Sequence, residues 1–381
     1  MPLRAFRSVS VVVLLTVLLF VLAALPRAAA ASNRLDPPPD EARHPQLSGV
    51  WYIAYVHEDF HADVDPAPNV SRFEIQRGYV TYRTRISETL SARITSDISV
   101  DQEGDGAGDI ELRLKYGYVQ FVAGRFGPLN GTRFRVGVLP TPWLDFEQRV
   151  NDFRVQGPMF LNRERVFISS DFGVSFSADL GGPIDASYRE NVNRRNAGRW
   201  GSVAAGVFNG GGYNEIEQNE NSVLQGRLTL RPLPDVLPGL QASLGVGTGK
   251  GNTADAPDYD ATVVMISHES TRGVLTLTGY DGLGDLRGNV VDADGDALSQ
   301  RGVSAFGEAR VVRDVSLLGR YDLFRTEFAE GDRDRETWIT GVAWRCLPGG
   351  QILLSYENVK ELGAPTKSRR ERIIGTLEFR F

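Results

Sequence analysis

His57-Glu58-Asp59-Phe60-His61 has the spacing of a zinc-peptidase motif. That motif works on a helix, where residues four apart reach one metal and the glutamate activates water. Here it follows an apolar stretch, 50–56, and runs into the Asp- and Pro-rich residues 63–68. In extended chain the two histidines stand ~13 Å apart, too far for one ion. The other histidines are His44 and His268, so a third ligand is scarce. The acidic stretches 101–109 and 292–296 have the composition of calcium loops. The first has Leu112 where such a loop needs its last glutamate, and the second has Ala297 where the turn needs glycine. Both read as solvated loops. A hydrolytic Ser-His pair would have to use His57, His61 or His268, and no context singles one out. The glycines of 245–251 precede no helix, so they make no phosphate cradle. No catalytic residue, metal or cofactor is assigned, and the chain is not read as an enzyme.

The arginines are more informative. Arg77, Arg83, Arg85, Arg93, Arg113, Arg133, Arg135 and Arg227, with Arg320 and Arg380, lie in strand-like segments on the row opposite the apolar side chains. Leu90, Ala92, Ile94 and Ile98 alternate with Arg93, Thr95 and Asp97; Phe134, Val136 and Val138 alternate with Arg133, Arg135 and Gly137; Leu224, Leu228 and Leu230 alternate with Gln225, Arg227 and Thr229. A charge at mid-bilayer on a lipid-facing row costs ~2–4 kcal/mol. These arginines therefore face a wet interior and are candidate pore-lining groups. Guanidinium groups hold phosphate or carboxylate through forked hydrogen bonds. The same arginines could instead pair with wall acids such as Asp97, Glu111, Asp322, Glu357 and Glu378 and brace the wall.

Such rows need strands to carry them, and the chain ends in one. Ile373, Gly375, Leu377, Phe379 and Phe381 share one row, and Arg372, Ile374, Thr376, Glu378 and Arg380 the other. A terminal aromatic on such a strand resembles the assembly signal of bacterial outer-membrane barrels, which marks Phe379 and Phe381. Sixteen alternating segments are read between 48 and 381, the first at 48–57, the sixth at 166–179 and the last at 370–381. The gaps alternate between long, polar ones (58–70, 101–109, 140–165, 209–221, 248–259, 281–300, 327–335, 360–369) and mostly tight ones. Residues 180–199 form the exception among the tight gaps, with room for a missed strand or short helix. This alternation, an even strand count and abundant glycine predict an all-β fold, a transmembrane antiparallel β-barrel of about sixteen strands.

The amino terminus agrees. Arg4 and Arg7 precede an apolar run and then Ala28 to Ala31, the pattern of a secretory signal peptide over 1–31. A short periplasmic leader follows at 32–47, then the barrel over 48–381. Losing Arg4, Arg7 and Arg27 moves the formal charge from −6 to −9, which excludes a nucleic-acid partner. The lone Cys346 excludes a disulfide-built domain.

Four stretches resemble the phosphate-selective porin O/P family: Phe73-Glu-Ile-Gln-Arg-Gly-Tyr-Val80; Phe134-Arg-Val-Gly-Val-Leu-Pro-Thr-Pro-Trp143; Trp200 through Gly-Val-Phe-Asn-Gly210; and Arg227 through Arg-Pro-Leu-Pro-Asp235 with Gly239-Leu240. They follow the family's order over about 48–381. The resemblance implies a homotrimeric sixteen-stranded porin whose third long loop folds inward and narrows the channel. Residues 140–165 occupy that loop's place and carry Asp145, Glu147, Arg149, Asp152, Arg154, Arg163 and Arg165. Mixed charges in a constriction order solutes by charge and dipole. Phosphate-specific members resemble each other in an arginine ladder and lysine clusters; this chain departs, with only Lys115, Lys250, Lys360 and Lys367, widely scattered. The function expected is passive diffusion of small polar solutes across the outer membrane, with a weak lean towards anions, phosphate among them. The expected partners are outer-membrane lipid, the solutes and two further copies of the chain. The alternatives are an outer-membrane barrel enzyme of lipase or protease type, or a plugged structural or adhesive barrel.

Overall fold

The computed structural model describes residues 45–62, 69–101, 106–347, 349–363 and 367–381. The signal peptide and nearly all of the leader lie outside the described residues. Sixteen strands follow one another: β1 (Gln46–Ala62), β2 (Val70–Arg85), β3 (Leu90–Val100), β4 (Ile110–Phe126), β5 (Leu129–Pro140), β6 (Ser170–Leu180), β7 (Gly201–Phe208) and β8 (Val223–Leu230). Then come β9 (Leu240–Lys250), β10 (Asp258–Ser270), β11 (Gly273–Leu283), β12 (Ser299–Val312), β13 (Val315–Thr326), β14 (Arg333–Leu347), β15 (Gly350–Leu362) and β16 (Ser368–Arg380). Each pairs antiparallel with its neighbours in sequence, and β1 pairs with β16 to close a barrel. Closure leaves no strand edge unpaired. The barrel begins at Gln46, two residues before the expected start.

The carboxyl terminus makes the seam. The Gly49 amide donates to the Phe381 carbonyl at 2.9 Å, and the Phe381 amide returns a bond to Gly49 at 3.2 Å. Phe379 stacks on Trp51 across the same seam, ring centroids 6.4 Å apart. A Cβ on Gly49 would sit 2.3 Å from the Phe381 ring, so that position must stay bare for the last aromatic to lie flat.

The alternation sorts the two faces. Val136 is 57% exposed and Leu224 55%, whereas Arg227 on the opposite row is 8% exposed and Thr229 fully buried. Exposed apolar side chains continue around the wall, among them Val264, Leu277, Val303, Leu317, Leu354 and Ile373. Val138 departs from its row and is buried beside Leu139, where the chain leaves the wall. Among the pairings of β1 to β4, two bulges interrupt the period. Tyr52 pairs with Arg77 but Ile53 with Ile75, and Thr95 pairs with Tyr116 but Ser96 with Leu114. Gln76 and Lys115 are thus extra residues, and each switches which parity faces inward.

Most short connections gather at one end of the barrel and the longest at the other, with 181–200 and 231–239 departing from the pattern. The exception at 181–200 holds a short helix, α3 (Ala186–Asn191); Asp185 caps it, its carboxylate accepting from the Ser187 and Tyr188 amides. The sixth strand starts at Ser170 rather than 166, because 166–169 belong to the preceding loop. That loop, 141–169, contains α1 (Pro142–Val150), a 3-10 turn (Arg154–Gln156) and α2 (Phe160–Arg163).

Candidate functional site: the interior cavity and its loop

Loop 141–169 is built to bury. Proline at the first position sets the φ of α1, an acid stands in its first turn and an arginine in its last. Trp143, Leu144, Phe146 and Val150 of α1 join Met159, Phe160, Leu161, Val166 and Phe167 in one apolar cluster with Tyr259, Val263, Met265 and Phe324 of the inner wall. Phe153 and Val155 join Phe306, Leu318, Leu353 and Tyr52 in a second. The wall is scooped to receive these rings. A Cβ at Gly245 would meet Trp143 at 2.5 Å, and one at Gly302 would meet Phe160 at 2.6 Å.

Polar anchors hold the loop along β10 to β15. The Tyr259 hydroxyl donates to the Val166 carbonyl at 3.1 Å, and Arg320 donates to the Pro158 carbonyl at 2.7 Å. Arg163 reaches Glu357 at 2.7 Å, and Arg335 bridges Glu164 and Glu361 at 3.0 and 2.7 Å. On the far side, Arg227 donates to the Pro142 carbonyl and lies 4.5 Å over the Phe146 ring. From the short-turn end, Asn193 donates to the Arg149 carbonyl at 2.9 Å and Arg195 pairs with Asp152 at 3.2 Å.

A cavity of about 480 Å³ remains between this loop and the β1–β4 wall. Tyr52, Tyr79 and Tyr116 supply rings, while Arg83 and Arg93 face the loop's Arg149 and Arg154. Arg83 and Arg93 are direct cross-strand partners, an arrangement of like charges that costs stability. Among the described residues, Arg83, Arg93 and Arg154 form no ion pair. Lys115 also lines the cavity; its ammonium donates to Ser169 at 2.7 Å and lies 5.0 to 5.6 Å from three tyrosine rings.

The other sequence candidates divide by partner. Arg77 is held by Asp97 at 3.0 Å, and Asp97 also accepts from the Tyr213 hydroxyl at 2.8 Å. Arg113 pairs with Glu111, Arg320 with Asp322 and Arg380 with Glu378. Arg85 sits at the rim and donates to the Ser87 and Glu88 carbonyls of its turn. Arg133 and Arg135 stand behind α1 with Asp145, which is bonded to Arg149. Burial pushes the Asp145 carboxyl up, but Arg149, Arg135, Arg93 and Arg227 outweigh it and hold the group below its ordinary range. Glu147 does not face the cavity. It is buried under α1, where the Trp143 indole donates to it at 3.0 Å. Arg165 is exposed, with φ at 61°.

The HExxH residues lie on β1, not on a helix. The first ring, His57, shares a hydrogen with Ser71 at 2.8 Å and has Asp59 at 3.6 Å, while His61 faces Glu371 at 3.9 Å. The Ser71, His57 and Asp59 side chains share the outward row with Tyr55 and Phe73. The aspartate, at 3.6 Å, is beyond hydrogen-bond length. In 292–296 the Asp292 carboxylate accepts from the Asp294 and Asp296 amides, closing a plain turn. Residues 102–105 of the other acidic stretch lie outside the described residues.

No protein-family model matches this chain, and no curated protein does. Solved structures do. The chain is similar to an anion-selective porin from Comamonas acidovorans, with a TM-score of 0.61 at 11% identity over 89% of this chain and 99% of that one. It is also similar to the outer-membrane channel DcaP of Acinetobacter baumannii (TM-score 0.58, 12% identity, 88% and 97% covered). A third is OmpF of Salmonella typhi, in complex with daunomycin (TM-score 0.59, 9% identity, 90% and 99% covered). At such identities the likeness is one of fold: a closed sixteen-stranded antiparallel barrel of the porin type. Joined to the exposed apolar wall, that fold places the chain in the bacterial outer membrane.

Lys115 and Arg195, which line the cavity, escaped the sequence reading, as did Tyr213, which holds Asp97 behind it. The bulge at Lys115 hides it from strict alternation. Arg195 and Tyr213 belong to connections that fold inward, and their only signal is the length of 180–199 and 209–221.

Proposed function

We propose that the protein is a passive diffusion porin for small polar solutes, leaning towards anions, that works as a homotrimer. Loop 141–169 is the constriction, and solutes pass between it and the β1–β4 wall. The observation that carries the reading is the trio Arg83, Arg93 and Arg154, which border the cavity without a carboxylate partner. Unpaired guanidinium groups favour an anion through charge and forked hydrogen bonds, and phosphate is one of the anions they accept. Lys115 lines the same cavity, as a further hydrogen-bond donor. The trimer rests on the sequence resemblance alone.

The test is electrical. Purified protein in a planar bilayer should open stepwise, and under a potassium chloride gradient its reversal potential should take the sign of a chloride-preferring pore. Arg93→Glu reverses one charge in the cavity. At about 1 kcal/mol on each ion in a wet lumen, unfavourable for chloride and favourable for potassium, the chloride-to-potassium ratio should fall roughly thirtyfold. Cation preference in the unaltered protein rejects the anion reading, and absence of openings rejects the porin.

A further inference from the structure

Behind α1, on the side away from the large cavity, lies a pocket of about 30 Å³. Four guanidinium groups line it, Arg133, Arg135, Arg149 and Arg227, against two carboxylates, Asp145 and Asp179. Two positive charges are thus in excess in a confined space. Asp145 is shared between Arg149, which it bonds, and Arg135 at 3.9 Å. Arg227 is 8% exposed, and its hydrogen bonds go to neutral oxygens of Pro142, Ser202 and Thr229. Neither Arg133 nor Arg227 has an ion pair among the described residues. Asn196, 4% exposed, lines the same pocket, and its side-chain NH2 has no hydrogen-bond partner. A buried donor without an acceptor and an excess of buried positive charge are each costly, and one negative ion offsets both.

We infer that this pocket is a binding site for a small inorganic anion of halide size, which fastens α1 to the wall. Size sets the class. A water needs roughly 10–15 Å³, so 30 Å³ has room for a monatomic halide. The ion balances the arginine cluster, accepts from Asn196 and leaves the Asp145–Arg149 pair in place. The site does not depend on conduction: it would hold its ion in an open porin or in a plugged barrel.

Bromide is the probe. Crystals of the full barrel grown in sodium bromide should show an anomalous peak between Arg133, Arg227 and Asn196. In solution, the unfolding temperature should be higher in sodium chloride than in sodium gluconate of equal ionic strength. Asn196→Asp puts a carboxylate where the ion would sit. It should lower the bromide peak at least fivefold and make the unfolding temperature the same in both salts. Arg133→Gln, which removes one positive charge without adding a negative one, should weaken the peak and raise the chloride concentration needed for half of the effect. A pocket filled by water alone in bromide overturns the inference. So does an Asn196→Asp barrel that keeps the full chloride response.

Discussion

Glu147 shows how little a residue's type says about its task. In the sequence it belongs with the charged residues of the long third gap, a candidate to line the constriction. In the structure it is buried beneath α1. Burial raises its carboxyl to about 7, with Asp322 pushing the same way, while Arg320 and the Trp143 indole pull it down. Free in solution the group ionises near 4.5. The docked loop therefore keeps its proton up to about pH 7, and docking is most favourable below pH 4.5. It weakens as pH climbs towards 7, by about 3 kcal/mol at most. Proteolysis within 141–169 should accordingly be faster at pH 8 than at pH 5. Glu147→Gln, neutral throughout, should flatten that dependence; a variant that keeps it would show that another group titrates. Lys115 makes the complementary point, since a single extra residue in β4 turns both it and Tyr116 inward. Period-two reading carries no mark of a bulge.

At the scale of elements, the strands were legible and the loop's fastening was not. Sixteen segments with opposed rows follow from alternation alone, because lipid on one side and water on the other impose it. Inward rows of arginine could also be read, but not which arginines are neutralised. On β13 to β16 they meet Asp322, Glu357, Glu361 and Glu378, so bracing describes that half of the wall. On β2 and β3, Arg83 and Arg93 meet no acid among the described residues. The helix α1 had a signal that went unused: Thr141-Pro142 at its start, Asp145 in its first turn, Arg149 in its last. Glu357 ties this loop to the wall most firmly, since Arg163, Arg372 and Arg370 all converge on it. Glu357→Leu leaves three buried or half-buried cations around an apolar side chain and should cost about 3–5 kcal/mol in thermal unfolding. Arg163→Met leaves the carboxylate with its two other partners and should cost clearly less. Equal losses in the two variants would mean that the wall arginines add nothing to the anchor.

The whole molecule is polarised along its axis. Connections 209–222, 251–257, 284–298 and 327–332 hold eleven acids and one arginine, Arg287, and all lie at the long-loop end. Arg83 and Arg93, by contrast, stand within a few residues of the short turn 86–89. An anion entering from the short-turn end meets the unpaired arginines first, whereas one entering from the loops must cross a negative field. In a bilayer with all channels oriented alike, anion current should therefore be larger from the short-turn side. Salt fixes where the effect is visible. The screening length is about 10 Å at 0.1 M and about 3 Å at 1 M, so the current–voltage curve should bend at the lower concentration and straighten at the higher. Neutralising Glu215, Glu217 and Glu220 together should reduce the bend, because it removes the acids without touching the cavity. A curve that is straight at both concentrations would mean that the loop charges lie too far from the permeation path to act on it. The arginine cavity would then govern selectivity alone.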